Sequence, residues 1–468
     1  MRVHPHTPVF GDVSKDRSVH FVGIGGIGVS SLARWFLAQK WAVSGSDIVK
    51  GEITKDLEKQ GLKVKIGHKK GNIGPKTGLV VYSNAIRSDN PEVIEARRRG
   101  IPTLSYPEAL GALTREYTAI TVSGAHGKST TTSLLSLVLI KAGMDPTVIV
   151  GTKLKEFVPP ARGSNFRFGK SEYLVLEADE WKAAFLHYSP SLAIITNIDK
   201  EHLDFYKNLS NIKKTFLRFI GNVRSGGVLV VNRDSKELYG LRPRIMKIAR
   251  AHRLKVMWYS VAGSPTAFTR KVRANFSIPG AHNISNACAV YTLAHHLKIR
   301  DEVIFSALKR YRGAWRRFEY RGVLKISNFK LKIYDDYAHH PTEIKVTLQA
   351  FREKFPKSHL ICVFEPHQAK RLRSLFREFA GAFKGADTLI LLPIYRVAGR
   401  DRINPRYTSE ALAKKIKGAT YLHNKKNLLH AIRAVISKNF KFQISNYVVI
   451  MMGAGTIVEE TDKLLRNE

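Results

Sequence analysis

Short apolar runs alternate with amphipathic helical stretches along most of the chain. Brief apolar runs predict strands covered on both faces, and a repeat of three to four residues predicts helices. Helical periodicity is present over residues 27–39, 133–143 and 283–297. The predicted strands are residues 19–23, 41–45, 79–82, 173–176, 192–196, 228–231, 332–334, 359–364, 388–392 and 447–451. This alternation predicts an α/β protein built mainly on parallel sheets.

The length of 468 residues is enough for two to four domains. We place them at residues 1–115, 116–315 and 316–468, since a phosphate-loop pattern opens the second and a basic, aromatic segment precedes the third. The first and third are predicted to be Rossmann-like, and the central one to be a P-loop ATPase-like domain on a parallel sheet. The polar stretch 262–280 contains Pro and Gly and leads into the helix predicted over residues 283–297.

The central domain opens with T-V-S-G-A-H-G-K-S-T-T-T at residues 121–132, between an apolar run and a helical pattern. Strand, glycine-bearing loop and helix N-terminus form a cradle for nucleotide phosphates, because backbone N–H groups and the helix dipole favour anions. Lys128 would reach the β and γ oxygens of a nucleotide, and the Ser129 hydroxyl would ligate Mg²⁺. The bland alternative is a tight turn before a helix. The predicted ATP-binding residues of the loop are Gly124, Ala125, His126, Gly127, Lys128, Ser129 and Thr130.

Polar residues follow the next two strands of this domain. Glu177 and Glu180 follow one strand, and Asn197, Asp199 and His202 follow the other. Ligands of doubly wound sheets sit at the carboxyl ends of the strands, so Glu177 and His202 are predicted to join Ser129 as metal ligands. Taken alone, Glu177 is equally typical of a helix cap, and His202 is typical of a structural histidine.

A second glycine loop lies near the start of the chain, with Gly23, Gly25, Gly26 and Gly28 between a strand and a helix. Such a loop holds a diphosphate on a helix N-terminus, and Asp47 at the end of the following strand would accept from a ribose hydroxyl. The loop alone suggests NAD. Two different nucleotide-type loops in one chain suggest two different nucleotide ligands.

The third domain carries D-D-Y-A-H-H-P at residues 335–341 after a strand, a polar cluster that favours ligand and substrate contacts over a transition-metal site. Arg316 and Arg317 could face ATP phosphates or form a solvated boundary. Glu365 to Gln368 and Arg371 follow another strand. Residues 453–455, G-A-G, could bring backbone close to a ligand or form a simple turn.

Composition restricts the remaining function classes. The net charge of +39 comes from 77 basic and 38 acidic residues spread over the chain, with clusters near residues 63–76 and 242–255. Solvated faces rank first as its explanation, anionic small substrates second and nucleic acid third. The chain shows neither a signal-peptide pattern nor an apolar stretch long enough to span a membrane, so a cytoplasmic protein is expected. Cys288 and Cys362 lie in separate apolar segments and are expected to be buried thiols.

Taken in order, the motifs resemble those of the Mur ligases of peptidoglycan synthesis, from about residue 18 to residue 457. The matching stretches are H-F-V-G-I-G-G-I-G-V-S-S-L-A (20–33), S-G-S-D (44–47), S-G-A-H-G-K-S-T-T-T (123–132), E-A-D-E (177–180), T-N-I-D-K-E-H-L-D (196–204), P-G-A-H-N-I-S-N-A (279–287), R-R-F-E (316–319), D-D-Y-A-H-H-P-T-E (335–343) and M-G-A-G (452–455). Several motifs in one order are far more specific than any one of them.

The resemblance implies three domains, which bind a UDP-sugar, bind ATP, and close over both while holding an amino acid. It implies that the lactyl carboxylate of UDP-N-acetylmuramate attacks the γ-phosphate of ATP, and that the amine of L-alanine then attacks the acyl phosphate. The first glycine loop would therefore hold UDP and not NAD. A monomer or a homodimer is expected, and the sequence leaves open whether a lysine near Lys213 is carbamylated.

The resemblance also implies roles for single residues. Lys128, His202 and His339 are the predicted catalytic residues, and His202 would bind a second Mg²⁺. The further ATP contacts implied are Asn283, Asn286, Arg317 and Asp336, and the amino-acid contacts implied are Tyr337, His339 and Arg371.

Two departures from the alanine-adding pattern leave the amino-acid donor open. Residues 180–185, E-W-K-A-A-F, are nearer in type to a ligase that recycles muropeptide, and Gln368 stands where an Arg is typical. The M-G-A-G ending and Pro366-His367 favour L-alanine. The alternatives are a muropeptide ligase, an NAD-dependent oxidoreductase, which leaves the Lys128 loop unexplained, and a nucleic-acid-binding protein.

Overall fold

The computed structural model describes residues 10, 17–157, 163–263, 266–396, 404–440 and 446–466. The chain forms two compact units. The first comprises Met1–Lys200, Asn208–Ala262 and Asn286–Leu308, and the second comprises Glu201–Lys207, Gly263–Ser285 and Lys309–Glu468.

The first unit contains a five-stranded sheet near the start of the chain, in the order β3-β2-β1-β4-β5, with every pairing parallel. Its strands are β1 (Ser18–Val22), β2 (Ala42–Asp47), β3 (Lys63–Ile66), β4 (Leu79–Tyr82) and β5 (Thr103–Ser105), and its helices are α1 (Ile27–Ala38), α2 (Glu52–Lys59), α3 (Pro91–Arg98) and α4 (Tyr106–Glu116). Strand order reverses between β1 and β4. The glycine loop after β1 therefore lies at the topological switch point, where doubly wound sheets bind ligands.

A seven-stranded sheet follows, in the order β12-β11-β10-β6-β9-β7-β8. Its strands are β6 (Thr118–Ser123), β7 (Thr147–Leu154), β8 (Ser164–Arg167), β9 (Tyr173–Glu177), β10 (Leu192–Ile195), β11 (Val228–Asn232) and β12 (Lys255–Tyr259). The helices along this part of the chain are α5 (Lys128–Lys141), α6 (Leu203–Tyr206), α7 (Leu209–Gly221), α8 (Lys236–Tyr239), α9 (Arg242–Ala251), α10 (Ala267–Asn275), α11 (Ala281–His296) and α12 (Asp301–Arg310). Strand β6 lies between β9 and β10, so the loop after β6 meets the carboxyl ends of both neighbours.

The central sheet is mainly parallel, as the sequence predicts, with one antiparallel pairing at its edge. Strand β8 pairs antiparallel with β7, because the connection between them is too short for the crossover that a parallel pair requires. The stretch 262–280 contains α10, which the sequence analysis did not predict. Thr266 caps that helix by accepting from the Thr269 N–H, and Val272 is buried. A single apolar contact face of this kind leaves a weak periodic signal in the sequence.

The second unit contains a six-stranded sheet in the order β13-β14-β18-β15-β16-β17. Its strands are β13 (Glu319–Ile326), β14 (Phe329–Asp336), β15 (His359–Phe364), β16 (Thr388–Leu391), β17 (Ala419–Tyr421) and β18 (Tyr447–Met452), and its helices are α13 (Pro341–Lys354), α14 (Ala369–Ser374), α15 (Phe376–Ala380), α16 (Ser409–Lys415), α17 (Leu428–Phe440) and α18 (Ile457–Arg466). The β13–β14 hairpin is antiparallel and the other pairings are parallel. Leu331, Ile333, Val363 and Val449 form part of its buried core.

Within the described ranges, no helix combines the length and apolar character needed to cross a membrane. Cys288 and Cys362 are buried, as the sequence predicts. Burial raises the pKa of the Cys362 thiol, which keeps it in the neutral form.

Candidate active site

The loop between β6 and α5 is anchored by the end of β10. The Thr196 hydroxyl donates to the His126 carbonyl at 2.7 Å, and the Asn197 amide both accepts from the His126 N–H at 2.8 Å and donates to its carbonyl at 3.0 Å. The His126 ring contacts Asp199 at 2.9 Å. At Gly124, φ is +141°, and any Cβ there would overlap the Thr196 hydroxyl. The strand-end polar residues of β10 thus hold the shape of the loop, which the sequence did not predict.

Lys128 is the first residue of α5 and lies inside this loop. Its ammonium donates to the Gly124 carbonyl at 2.7 Å and to Glu180 Oε2 at 2.8 Å. Burial alone would lower the pKa of Lys128, but the carboxylates of Glu180, Asp179 and Glu177 outweigh it and raise that pKa. Lys128 therefore remains a cation, as phosphate binding requires. Glu180 is the partner that the sequence had placed only at a strand end.

Ser129 and Glu177 are brought together as predicted. The Ser129 hydroxyl donates to Glu177 Oε1 at 3.0 Å, and the Gly151 N–H donates to Glu177 Oε2 at 2.7 Å. Burial raises the pKa of Glu177. A hydroxyl beside a half-buried carboxylate supplies the hard oxygen ligands that Mg²⁺ prefers, and the cation would favour the ionised form of Glu177. These two residues fit a magnesium site.

Asn286 on α11 lies against the N-terminus of α5. A Cβ added to Gly127 would stand 2.5 Å from Asn286 Oδ1, so the two residues are in close contact. Gly127 has φ of +83° and forms the N-cap of α5. Asn283, one turn earlier and within the second unit, donates to the Pro279 carbonyl at 2.8 Å. Asn286 therefore lies at the phosphate loop, and its contact with the nucleotide stays a prediction.

The first glycine loop is held by β2. The N–H groups of Gly23 and Ile24 donate to the Ser46 carbonyl at 2.8 and 3.0 Å, and the Gly25 N–H donates to Asp47 Oδ2 at 2.8 Å. Asp47 thus stabilises the loop through a hydrogen bond. The sequence analysis predicted only a contact between Asp47 and a ribose. At Gly26, which caps α1, a Cβ would meet nothing nearer than 3.5 Å, so backbone is open to a ligand there.

Gly28 has a different reason for being glycine. A Cβ at that position would lie 2.7 Å from the Tyr106 hydroxyl oxygen, so the absence of a side chain is required by packing of α1 against α4. Its prediction as a UDP-sugar contact remains untested.

A buried carboxylate, Glu92, supports the first glycine loop indirectly, through Ser46. The sequence analysis did not identify Glu92. Glu92 accepts from the Ser46 hydroxyl at 2.5 Å, from Asn72 at 2.6 Å and from His20 at 3.2 Å, and His68 lies at 3.4 Å. Burial alone would raise the pKa of Glu92, but hydrogen bonds from His20, His68, Ser46 and Asn72 lower it strongly. Glu92 therefore fixes the residue whose carbonyl holds the loop.

In the second unit, the predicted amino-acid contacts cluster beyond β14 and β15. The Tyr337 and His339 rings lie 5.3 Å apart, and the His339 and His367 rings lie 6.0 Å apart. Arg371 Nη1 lies 3.5 Å from His367 Nδ1, and Arg371 Nη2 lies 3.3 Å from Glu201 Oε2. The structure brings Tyr337, His339 and Arg371 together, and it adds Glu201.

The two histidine rings of this cluster are neutral at physiological pH. Burial lowers the pKa of His339 to about 4 and that of His367 to about 3. His339 Nδ1 donates to the Tyr337 carbonyl at 2.9 Å, which leaves Nε2 as the acceptor in the neutral ring. For Glu201, burial would raise the pKa, but Arg371, His340 and His202 hold it well below its usual range.

Arg316 is not part of a solvated boundary, and that alternative interpretation was wrong. Its side chain is buried, lies over the Tyr337 ring at 5.0 Å and donates to the Gly453 carbonyl. The aromatic face and the carbonyl replace water around the guanidinium. Arg317 also lies over the Tyr337 ring, at 4.8 Å. Asp336 accepts from the Phe318 and Ala338 N–H groups, and burial raises its pKa.

The G-A-G turn at residues 453–455 packs against Glu365. A Cβ at Gly453 would lie 2.7 Å from the Glu365 carbonyl oxygen, and Glu365 accepts from the Ile457 N–H at 3.0 Å and pairs with Lys425. Close packing around a buried carboxylate therefore explains these glycines.

His202 is the N-cap residue of α6, has φ of +52° and belongs to the second unit. Its predicted pairing with Glu177 joins residues of the two units and stays a prediction. Lys213 forms an ion pair with Glu237 on α8, and whether a nearby lysine is carbamylated remains open.

Comparison with known proteins identifies three domains of one family along the chain. Residues 18–118 match the Mur ligase family catalytic domain, residues 122–294 match the Mur ligase middle domain, and residues 316–455 match the Mur ligase glutamate ligase domain. The chain belongs to the Mur ligase family. Its three-domain α/β organisation is thereby confirmed.

Relatives within the Mur ligase family align over nearly the whole chain. A UDP-N-acetylmuramate–L-alanine ligase of Aquifex aeolicus is 38% identical over 463 residues, covering 96% of this chain and 97% of that protein. A ligase of the same name from Desulfatibacillum aliphaticivorans is also 38% identical, with 96% and 98% covered.

Solved structures of Mur ligases have the same fold. The UDP-N-acetylmuramate-alanine ligase of Thermotoga maritima superposes with a TM-score of 0.76 at 25% identity, covering 96% of this chain and 98% of that one. The murein peptide ligase of Psychrobacter arcticus superposes with a TM-score of 0.67 at 21% identity, with the same coverage, and shows the fold alone.

Proposed function

We propose that this protein is an ATP-dependent ligase that joins L-alanine to the lactyl carboxylate of UDP-N-acetylmuramate during synthesis of peptidoglycan precursors. The observation that carries the proposal is the phosphate loop with Lys128, Ser129 and Glu177 assembled around it, in a chain of which 96% aligns with ligases of that name. An NAD-dependent oxidoreductase or a nucleic-acid-binding protein would leave this loop without a use.

The chemistry follows from the poor reactivity of a carboxylate as an acyl donor. The lactyl carboxylate attacks the γ-phosphorus of ATP, the bond to the bridging oxygen breaks, and an acyl phosphate and ADP result. The amine of L-alanine then attacks the acyl carbon, and phosphate leaves. Phosphoryl transfer asks chiefly for positioning and neutralisation of charge, and the buried Lys128 cation supplies part of both.

The proposed metal cofactor is Mg²⁺. Ser129 and Glu177 would hold Mg²⁺, and the ion would neutralise phosphate charge when bound. His202 would hold a second Mg²⁺. The loop residues Gly124 to Thr130, together with Asn283, Asn286, Arg317 and Asp336, would bind ATP.

The two substrates would bind at different parts of the chain. Gly23, Gly25, Gly26, Gly28 and Asp47 would bind the UDP part of the sugar nucleotide, where the loop is braced by β2. Tyr337, His339 and Arg371 would bind the amino acid, and His339 Nε2 would accept a proton from the incoming amine, since Nδ1 donates to the Tyr337 carbonyl.

The domain bounds 1–115, 116–315 and 316–468 remain part of the proposal, as do a cytoplasmic location and a monomeric or homodimeric state. The cytoplasmic location is supported by the requirement of the reaction for ATP and a UDP-sugar.

The test is phosphate release from ATP in the presence of UDP-N-acetylmuramate, with L-alanine compared with L-Ala-γ-D-Glu-meso-diaminopimelate. We expect release that depends on both the sugar nucleotide and L-alanine. Release with the tripeptide alone would transfer the protein to muropeptide recycling. Absence of release with both donors, in protein that still binds ATP, would refute ligase activity.

A further inference from the structure

A buried ion pair lies at the centre of the second unit's polar cluster. Arg371 on α14 and Glu201, which precedes α6, are 170 residues apart in the chain, and their side chains are 8% and 7% exposed. Burying two charges is unfavourable because each ion loses its hydration, and a buried pair is therefore weak evidence for a purely stabilising role. A functional reason for retaining both charges is needed.

The contact between the two charges is loose. Nη2 and Oε2 are 3.3 Å apart, whereas close charge-assisted hydrogen bonds between nitrogen and carboxylate oxygen are about 2.7–2.9 Å long. The remaining contacts of Arg371 with His367 are 3.3 Å to the carbonyl oxygen and 3.5 Å to Nδ1. A ligand that forms shorter contacts with Arg371 and with Glu201 would therefore replace the contact between these two side chains.

The surroundings of the pair suit a small ligand with both charges. His339 and His367 are neutral rings, and Tyr337 closes the cluster with its ring 5.3 Å from that of His339. One fixed cation and one fixed anion in such surroundings are complementary to a zwitterion whose own charges are separated by one carbon. An α-amino acid is such a zwitterion.

We propose that Glu201 is the recognition group for the ammonium of the incoming amino acid, while Arg371 holds its carboxylate, and that the two side chains pair with each other when the site is empty. The inference rests on the proposed function and adds Glu201 to its amino-acid site. It predicts selectivity for α-amino acids over simple carboxylic acids, because a carboxylic acid without an ammonium offers no cation to Glu201.

The alternative role for Glu201 is to position Arg371 only. The two roles differ in what happens to a ligand with a carboxylate and no ammonium. Propionate is L-alanine without its amino group, so it contacts Arg371 and has nothing to offer Glu201. Removing the charge of Glu201 weakens both ligands equally if Glu201 only positions Arg371, and weakens L-alanine selectively if Glu201 binds the ammonium.

The experiment measures the dissociation constants of L-alanine and propionate by ligand-observed NMR, on full-length protein saturated with UDP-N-acetylmuramate and a non-hydrolysable ATP analogue. For Glu201→Gln we expect the constant for L-alanine to rise at least tenfold and that for propionate to change by less than threefold. Glu201→Asp keeps the charge and should recover part of the affinity for L-alanine, and it serves if the Gln variant does not fold.

Asp387→Asn is the matched control, since it removes a carboxylate paired with an arginine, Arg352, elsewhere in the same unit. It should leave both constants unchanged. Equal weakening of both ligands in the Glu201 variants, or no change in either, would overturn the inference. Wild-type phosphate release that does not depend on L-alanine would instead refute the proposed function, so the two failures are distinguishable.

Discussion

Replacing Gly127 by alanine tests the phosphate loop through a single methyl group. Gly127 has φ of +83°, and its Cβ would lie 2.5 Å from Asn286 Oδ1 and 3.1 Å from Asn286 Nδ2. The left-handed backbone costs alanine about 1 kcal/mol, and insertion of a methyl group into packed surroundings costs about 1–3 kcal/mol. We therefore expect Gly127→Ala to destabilise the protein by about 2–4 kcal/mol.

The functional effect follows from the movement that the methyl group forces. Ordinary van der Waals contact begins near 3.4 Å, so the Asn286 amide must withdraw by about 0.9 Å, the difference between 3.4 and 2.5 Å. Asn286 is 5% exposed and has little room to withdraw. We expect the KM for ATP to rise about tenfold, which corresponds to about 1.4 kcal/mol, with the KM for UDP-N-acetylmuramate unchanged.

Gly143 provides the matched control at the other end of α5. It has φ of +76°, and a Cβ there would meet nothing within 4 Å. Gly143→Ala should cost about 1 kcal/mol from backbone strain alone and leave the KM for ATP unaltered. Urea unfolding and phosphate-release kinetics on both variants give the comparison. Equal losses of stability, with normal ATP kinetics in both, would show that the contact with Asn286 does not constrain the loop.

Four further variants test other parts of the molecule. Lys128→Ala should abolish turnover and leave circular dichroism unchanged, and near-normal ATP-dependent activity would refute the phosphate-loop assignment. Glu92→Gln should destabilise the protein by about 3–5 kcal/mol at pH 7 in urea unfolding. Because the folded pKa of Glu92 is lowered, its contribution is present above about pH 4.5 and is lost as pH falls, so the variant should show less acid destabilisation than the wild type. His339 has a folded pKa of about 4, below its unfolded value, so the stability of the wild type should fall by roughly 1–3 kcal/mol as the pH is lowered from 6.5 to 4. The His339→Gln variant should show a smaller fall over the same pH range. An unchanged pH dependence of stability in that variant would contradict the buried neutral ring. Gln368→Arg should change the KM for the amino acid and not that for ATP, and an unchanged amino-acid KM would remove Gln368 from the site.

Local patterns predicted most of the strands that build the candidate sites. Strands β4 and β15 begin and end at the predicted residues, Leu79–Tyr82 and His359–Phe364. Both are buried apolar runs, which give a strong signal. The strands that were not predicted are β3, β5, β7, β8, β12, β13 and β17. Two of them, β8 (Ser164–Arg167) and β17 (Ala419–Tyr421), are short and contain polar residues, so they leave no apolar run in the sequence.

The buried charges were the least predictable part of the candidate sites. Arg316 has the residue type of a solvated surface, yet it is buried against Tyr337 and Gly453. Glu92 stands in a charged, helical stretch of the sequence, yet it is fully buried among His20, His68 and Ser46. Residue type predicts average exposure only. The partners that compensate the desolvation of a buried charge come from elsewhere in the chain.

The sequence by itself determines both glycine loops and the helices that follow them, because a strand, a turn and a helix N-terminus are formed by residues next to one another in the chain. The pairing of Ser129 with Glu177 spans 48 residues, that of Ser46 with Glu92 spans 46, and that of Arg371 with Glu201 spans 170. Such contacts depend on strand order and on which helix covers which face of a sheet. Local periodicity carries no information about either. The role of Glu177 as a magnesium ligand could be proposed because it stands in a sequence motif, whereas the roles of Glu92 and Glu201 became visible only in the folded chain.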